Sequence, residues 1–156
     1  MQVKDVMSKE VITIRRSTTL RELLEKFVKF HMFPLVPVVE DDNRLVGVVS
    51  FRNLINAFWP YNPQLLKTVP FLDEKEEDIF KAELTEDIGN LVVAEDIMET
   101  KFITIQENAS LEDAYNLMKL HLKEEFPVVD SNGRLVGMVG IFDIIQHVFR
   151  QKGVIK

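Results

Sequence analysis

Residues 37–47, Pro-Val-Val-Glu-Asp-Asp-Asn-Arg-Leu-Val-Gly, return ninety positions later as residues 127–137, Pro-Val-Val-Asp-Ser-Asn-Gly-Arg-Leu-Val-Gly. In each copy two apolar runs flank a polar stretch holding Asn or Gly, residues that tolerate the positive φ of tight turns. Both stretches therefore read as β-hairpins. The likeness extends towards the N-terminus. Asp5-Val6-Met7 recurs as Asp96-Ile97-Met98, Val11-Ile12-Thr13-Ile14 as Phe102-Ile103-Thr104-Ile105, and Leu20 as Leu111. These earlier matches are ninety-one positions apart, so the first copy holds one extra residue between Leu20 and Pro37. Many ordered matches with a single slip establish an internal duplication.

Each copy reads the same way. A short apolar run (Val11–Ile14, Phe102–Ile105) has the pattern of a strand. Ser17, Thr18 and Thr19, or Asn108 and Ser110, offer N-caps for a helix, with Glu22 or Glu112 adding charge to its first turn. Leu20, Leu23, Leu24, Phe27 and Phe30 fall at helical spacing, as do Leu111, Ala114, Tyr115, Met118 and Leu122. After the hairpin a second helix is expected over Phe51–Trp59 and over Ile141–Lys152. The unit is β-α-β-β-α and the fold class α+β. At roughly 55 residues one unit has a meagre core, so the two are expected to pack as a pseudo-twofold pair. The expected organisation is residues 1–60 for the first repeat, 61–91 for an acidic, Pro-containing linker and 92–156 for the second. In the linker Pro60, Pro63 and Pro70 break regular structure, Asp73–Asp78 clusters charge, and Ile79–Leu84 could form one short element.

Composition narrows the function. Of 156 residues, 46% are apolar and 28% charged, as in an ordinary soluble globular chain, and this excludes disorder. Nineteen Lys and Arg against 25 Asp and Glu leave a net charge of −6, which argues against nucleic-acid binding. With no cysteine there is no disulfide, thiolate nucleophile or Cys-bound zinc. Apolar runs such as Leu35–Val39 and Leu45–Val49 are far short of the roughly 20 residues that span a bilayer. Met1–Arg16 carries Lys4, Asp5, Lys9 and Glu10, lacks a continuous apolar core and does not read as a signal peptide, so the expected location is the cytoplasm. No phosphate-binding glycine loop, His-Glu-x-x-His or Gly-x-Ser-x-Gly occurs, so no catalytic residue and no dedicated metal site is expected. His31 and His121 each stand six residues before the hairpin proline, as helix C-terminal charges, and His147 reads as a satisfied packing residue on the last helix.

The ordered set, strand, helix, Pro-Val-Val-acid, turn, Arg-Leu-Val-Gly and helix, occurring twice, closely resembles the cystathionine-β-synthase (CBS) domain. Two copies in one chain look like a CBS pair, or Bateman module. The resemblance covers about Val3–Trp59 and Val93–Phe149. It implies two repeats packed through their sheets, with two equivalent clefts that bind adenosine-containing ligands (AMP, ADP, ATP or S-adenosylmethionine) and regulate rather than catalyse.

The family's best-known signature is Ser or Thr, two residues, then Asp after the hairpin, the carboxylate accepting from both ribose hydroxyls. Repeat 2 presents Gly140-Ile141-Phe142-Asp143, which keeps the carboxylate but not the hydroxyl. Repeat 1 presents Ser50-Phe51-Arg52-Asn53, which keeps the hydroxyl but offers an amide oxygen, a weaker acceptor. The favoured site by this resemblance is Asp143, Gly140, Ile103, Thr104, Phe126 and Pro127. The second is Ser50, Asn53, Ile12, Thr13, Val36 and Pro37. Without the resemblance, Asp143 and Asn53 read as first-turn caps and the apolar positions as strand packing.

Family members that hold phosphates often carry His or Arg two or three residues before the proline. Those positions are Glu124 and Glu125 in repeat 2, and Pro34 and Leu35 in repeat 1. Two carboxylates repel a phosphate, so charge would have to come from Arg15, Arg16, Arg52, Lys101, His31 or His121, or from Mg²⁺ held beside a nucleotide. Two function classes follow. One is a sensor of an adenosine-type small molecule. The other is a ligand-free protein–protein interaction or dimerisation module with degenerate clefts, to which Phe58, Trp59, Tyr61 and Phe71 would lend an interface. In either, the expected macromolecular partners are a second copy of the chain and a separate target protein.

Overall fold

A computed structural model describes residues 1–29, 35–57 and 88–156. Phe30, His31, Pro34, Phe58, Trp59, Tyr61, Phe71 and the expected features of the linker up to residue 87 lie outside the described residues. The chain divides into two compact units. Unit 1 comprises Met1–Ile12, Asp41–Leu45 and Ile103–Lys156, and unit 2 comprises Thr13–Glu40 and Val46–Phe102.

Unit 1 is built on three strands, β3 (Ile105–Gln106), β4 (Glu125–Val129) and β5 (Leu135–Gly140), in the order β3-β4-β5. β3 runs parallel to β4, and β4 antiparallel to β5. Helices α5 (Leu111–His121) and α6 (Ile141–Gln151) complete it. Ser110 caps α5 through its hydroxyl, which accepts from the Asp113 N–H at 3.0 Å. The β4–β5 turn depends on Gly133, whose φ of 78° a side chain would strain, and on Asp130, which accepts from the Asn132 and Arg134 amides. Val3, Ile105, Leu111, Ala114, Met118, Phe126, Val128, Val139 and Ile144 form the core.

Unit 2 contains α1 (Leu20–Lys29), β1 (Leu35–Val39), β2 (Leu45–Ser50, entering the unit at Val46), α2 (Phe51–Ala57), α3 (Ile88–Leu91) and α4 (Ala94–Ile97). β1 and β2 pair as a two-stranded sheet. Ile14, Leu20, Leu23, Val36, Val38, Val49, Leu54, Val92, Ala94 and Ile97 form its core. Leu24, expected on the apolar face of α1, is 44% exposed. Thr19 rather than Ser17 caps that helix, accepting from the Glu22 N–H at 3.3 Å, while Thr18 turns back to accept from Arg15 N–H.

The expected strand Val11–Ile14 shrinks to one bridging residue, Ile14 beside Val38, and Phe102–Ile105 becomes β3, which starts only at Ile105. The hairpin prolines are the cause. The Ile14 N–H donates to Pro37 O, and the Val39 N–H donates to Ile14 O. Extending that parallel ladder two residues earlier needs an N–H at position 37, which proline lacks. Pro127 imposes the same limit on Ile103 and Thr104.

The compact units are cut differently from the sequence repeats. The opening of repeat 1 belongs to unit 1, where Val3 N–H donates to Ala109 O and Ser8 exchanges two 2.9 Å backbone bonds with Met138. The opening of repeat 2 belongs to unit 2, where Leu20 N–H donates to Val92 O and Val48 exchanges bonds with Glu99 at 2.9 and 3.0 Å.

Candidate functional site

In unit 1 the antiparallel register sets Glu125 opposite Gly140 and Phe126 opposite Val139. Gly140 ends β5 and leads directly into α6, so Asp143 occupies the first turn of that helix. Its Oδ2 accepts from the Gly140 N–H at 2.8 Å, which satisfies one of the donors a helix start leaves open. Glycine cannot cap through a side chain, and Asp143 supplies the oxygen instead. No hydrogen bond reaches Oδ1 among the described residues. Thr104 and Ile103 are half-buried and precede β3, whose Ile105 pairs with Val128. Phe126 is 2% exposed and packs into the core of the unit. The structure thus brings Asp143, Gly140 and the start of β4 together, and spends the Phe126 ring on the interior.

Glu125 is the group whose importance the sequence understated. Half-buried at the first position of β4, its carboxyl is pushed up to about 7 from 4.5, first by burial and then by the charge of Asp143. Glu124 is exposed, and its carbonyl accepts from Ile141 N–H at 2.8 Å. His147 lies half-buried one turn beyond Asp143, and its Nε2 is enclosed with no hydrogen-bond partner among the described residues. The expectation of a satisfied histidine is corrected on this point, since burial of the ring encloses a nitrogen that no described residue hydrogen-bonds.

In unit 2 the corresponding residues close on each other. The Asn53 Oδ1 accepts from the Ser50 N–H at 2.7 Å and from the Ser50 hydroxyl at 3.0 Å. The amide oxygen expected to accept weakly from a ligand is thereby engaged, and Asn53 is left with its NH₂ donors. Val36 and Pro37 are buried, Val36 in the core. Thr13 is half-buried, and its carbonyl accepts from Lys26 Nζ at 3.1 Å. Lys26 was not singled out in sequence; it stands where repeat 2 has Leu117, and that mismatch between the copies is the signal. Ile12 falls in unit 1 and is half-buried. Of the expected charge sources, Arg16 is engaged with Glu40 and Glu95 at 3.2 and 3.3 Å, and His121 sits exposed in the last turn of α5.

Among the described residues, no group of three or more potential metal-ligating side chains converges, and no helix is long and apolar enough to cross a membrane.

Comparison with known proteins agrees with the duplicated architecture. The CBS domain family model matches residues 3–60 and again 93–150. A CBS domain-containing protein of Dictyostelium discoideum is 31% identical over 148 residues, covering 95% of this chain and 91% of that protein. The fold is similar to that of CBSX2, solved in complex with AMP, with a TM-score of 0.72 at 24% identity over 97% of this chain and 98% of that one. It is also similar to the CBS domain pair of protein MJ0100, solved with 5′-methylthioadenosine and S-adenosyl-L-methionine, at a TM-score of 0.66 and 24% identity, covering 97% and 98% of the two chains. The chain belongs to the CBS domain family, as a tandem pair.

Proposed function

We propose that the chain is a regulatory module that binds an adenosine-containing small molecule and works by binding rather than catalysis. The observation that carries this reading is Asp143. Its Oδ2 is fixed by the Gly140 N–H, so the carboxylate is held in one orientation with Oδ1 free of any described partner. A carboxylate held in this way can accept from the two neighbouring hydroxyls of a ribose. The ligands of CBSX2 and of the MJ0100 pair, AMP, 5′-methylthioadenosine and S-adenosylmethionine, support the class; ADP and ATP belong to the same one, with Mg²⁺ as a companion ion. A ligand that prefers one arrangement of the module shifts its population and passes the change to a separate target protein. The proposed setting is the cytoplasm.

Calorimetry with AMP, ADP, ATP, NAD and S-adenosylmethionine tests the reading. Dissociation constants below about 1 mM, near −4 kcal/mol, with loss of binding in Asp143→Ala, support it. No binding by any of them refutes it for this class.

A second reading, an interaction module, draws on two observations. The closed Ser50–Asn53 pair engages the amide oxygen that repeat 1 would offer a ribose. An apolar groove of about 390 Å³ also runs along α5 and α6, lined by Leu111, Tyr115, Ile144, Ile145, Val148 and Phe149. Tyr115, Ile145 and Phe149 are exposed there, a surface suited to a second copy of the chain. We propose a homodimer on that face; a monomer by light scattering at micromolar concentration removes it.

A further inference from the structure

We infer that the unit 1 position selects its ligand by charge: Glu125, set beside Asp143 and Gly140, makes it favour an adenosine derivative with a cationic or uncharged 5′ substituent over one bearing a phosphate. This rests on the adenosine reading above and names the ligand class within it.

Two carboxylates converge on one backbone position. The register of β4 and β5 brings Glu125 opposite Gly140, and Asp143 reaches back from α6 to the same Gly140 N–H. Among the described residues no hydrogen bond or ion pair serves the Glu125 carboxyl. Among the described residues, the charge shown to act on it is that of Asp143; His147 stands one turn beyond Asp143 on α6, Glu124 and Lys123 precede it on the chain, and β3 and β5 carry no charged residue. Glu124 and Lys123 are exposed and oppose each other in sign. The one charge shown to act on Glu125 among the described residues is therefore negative.

A ribose held through its hydroxyls by Asp143 would bring its 5′ substituent, carried on the same small ring, into the field of the Asp143 and Glu125 carboxyls. A phosphate there adds like charge in a half-buried place where water screens poorly, whereas an ammonium or sulfonium offsets the charge present. Burial and the Asp143 charge push the Glu125 carboxyl up to about 7, so a cation favours its ionised form and a phosphate its protonated one.

Repeat 1 shows that the fold does not require these acids. Leu35 stands where repeat 2 has Glu125, Asn53 where it has Asp143, and a lysine, Lys26, is bonded to the Thr13 carbonyl. The acidity is particular to one copy.

The test compares adenosine, AMP and 5′-amino-5′-deoxyadenosine by calorimetry on the full chain at pH 8 in EDTA, so that no divalent cation bridges carboxylate to phosphate. We expect the amine to bind at least tenfold tighter than AMP, and Glu125→Gln to narrow that ratio at least threefold. Glu125→Leu, which installs the side chain repeat 1 already accommodates, should narrow it equally, and melting curves confirm that both variants fold. Adenosine binding with AMP and amine equally tight, or a ratio that neither variant changes, overturns charge selection and leaves the adenosine reading standing. Binding of none of the three removes both.

Discussion

The Met7 sulfur lies 2.7 Å from the point where a Cβ on Gly137 would project, and the Met98 sulfur lies 2.6 Å from the same point on Gly47. Each methionine fills a notch that only glycine leaves open, and each belongs to the opening of the other repeat. The aspartate two residues earlier serves the same purpose in both copies. Asp5 accepts from the Gln2 N–H at 2.8 Å and Asp96 from the Val93 N–H at 3.0 Å, holding the turn that presents the methionine. Asp-x-Met and Leu-Val-Gly are thus two halves of one packing device, used twice.

Gly137→Ala should destabilise the chain by about 1–3 kcal/mol, the usual cost of forcing a methyl into a filled core. The added Cβ would meet the flexible Met7 side chain and also the Ser8 carbonyl, at 2.7 Å, which is backbone and cannot swing away. Met7→Ala should therefore rescue Gly137→Ala only in part. At Gly47 the backbone oxygen of Glu99 stands farther off, at 3.1 Å, so Met98→Ala should rescue Gly47→Ala more fully. Urea unfolding of the single and double variants measures both couplings. Equal rescue at the two sites would show that the backbone oxygen does not matter.

Val3→Ala should cost about 1–3 kcal/mol although it lies two residues from the first. Val3 is 0% exposed and sits in the unit 1 core, and its N–H and that of Lys4 donate to Ala109 and Glu107 at 2.9 Å. Hydrogen exchange should show the loss of protection in α5 and β5 as well as at the N-terminus. Protection lost only over the first ten residues would mean that the segment is an appendage.

The hairpins were legible because their signal is local: two apolar runs, a turn with Asn43 or Gly133 at positive φ, and a proline fixed at the same place. The same proline concealed the true length of the preceding strands. Val11–Ile14 has a strand's composition, yet Pro37 has no N–H to pair with, and only Ile14 bridges. The grouping of segments into units was not legible either, since the Asp-x-Met motif repeats without revealing which glycine each methionine covers. At the site, sequence identified Asp143, Glu125 and Asn53 as positions. It gave no access to Asn53's engagement with Ser50 or to the burial that shifts Glu125, because both depend on side-chain direction.

Stability should fall as pH rises through the window from 4.5 to 7. In the folded chain the Glu125 carboxyl is pushed up to about 7 by burial and by Asp143, so folding takes up a proton between its ordinary value of 4.5 and that point. The folded state is favoured most fully below 4.5, and the advantage is lost as pH rises through 7. The shift corresponds to at most about 3 kcal/mol, and partial exposure reduces this to about 1–2 kcal/mol. Glu125→Gln, which cannot ionise, should gain by that amount relative to the parent chain between pH 5 and pH 8. Urea midpoints at the two pH values decide it; parallel pH profiles would place the Glu125 side chain in water.

Asp143→Asn and Asp143→Ala should separate the two duties of this residue. Asparagine keeps an oxygen for the Gly140 N–H, as Asn53 does for Ser50, so stability should change by no more than a few tenths of a kcal/mol. Alanine leaves that N–H without its acceptor and should cost about 1 kcal/mol. Both remove the negative charge that helps hold the Glu125 proton, so both should lower the pH at which Glu125 ionises without returning it to 4.5, since burial, the larger cause, remains. Both should also abolish ribose binding, because only a carboxylate can accept from two hydroxyls while its other oxygen is engaged. NMR titration of the Glu125 side chain together with calorimetry gives the pattern: equal loss of ligand, unequal loss of stability. Asp143→Asn that binds ligand normally would show that the residue caps its helix and has no part in recognition.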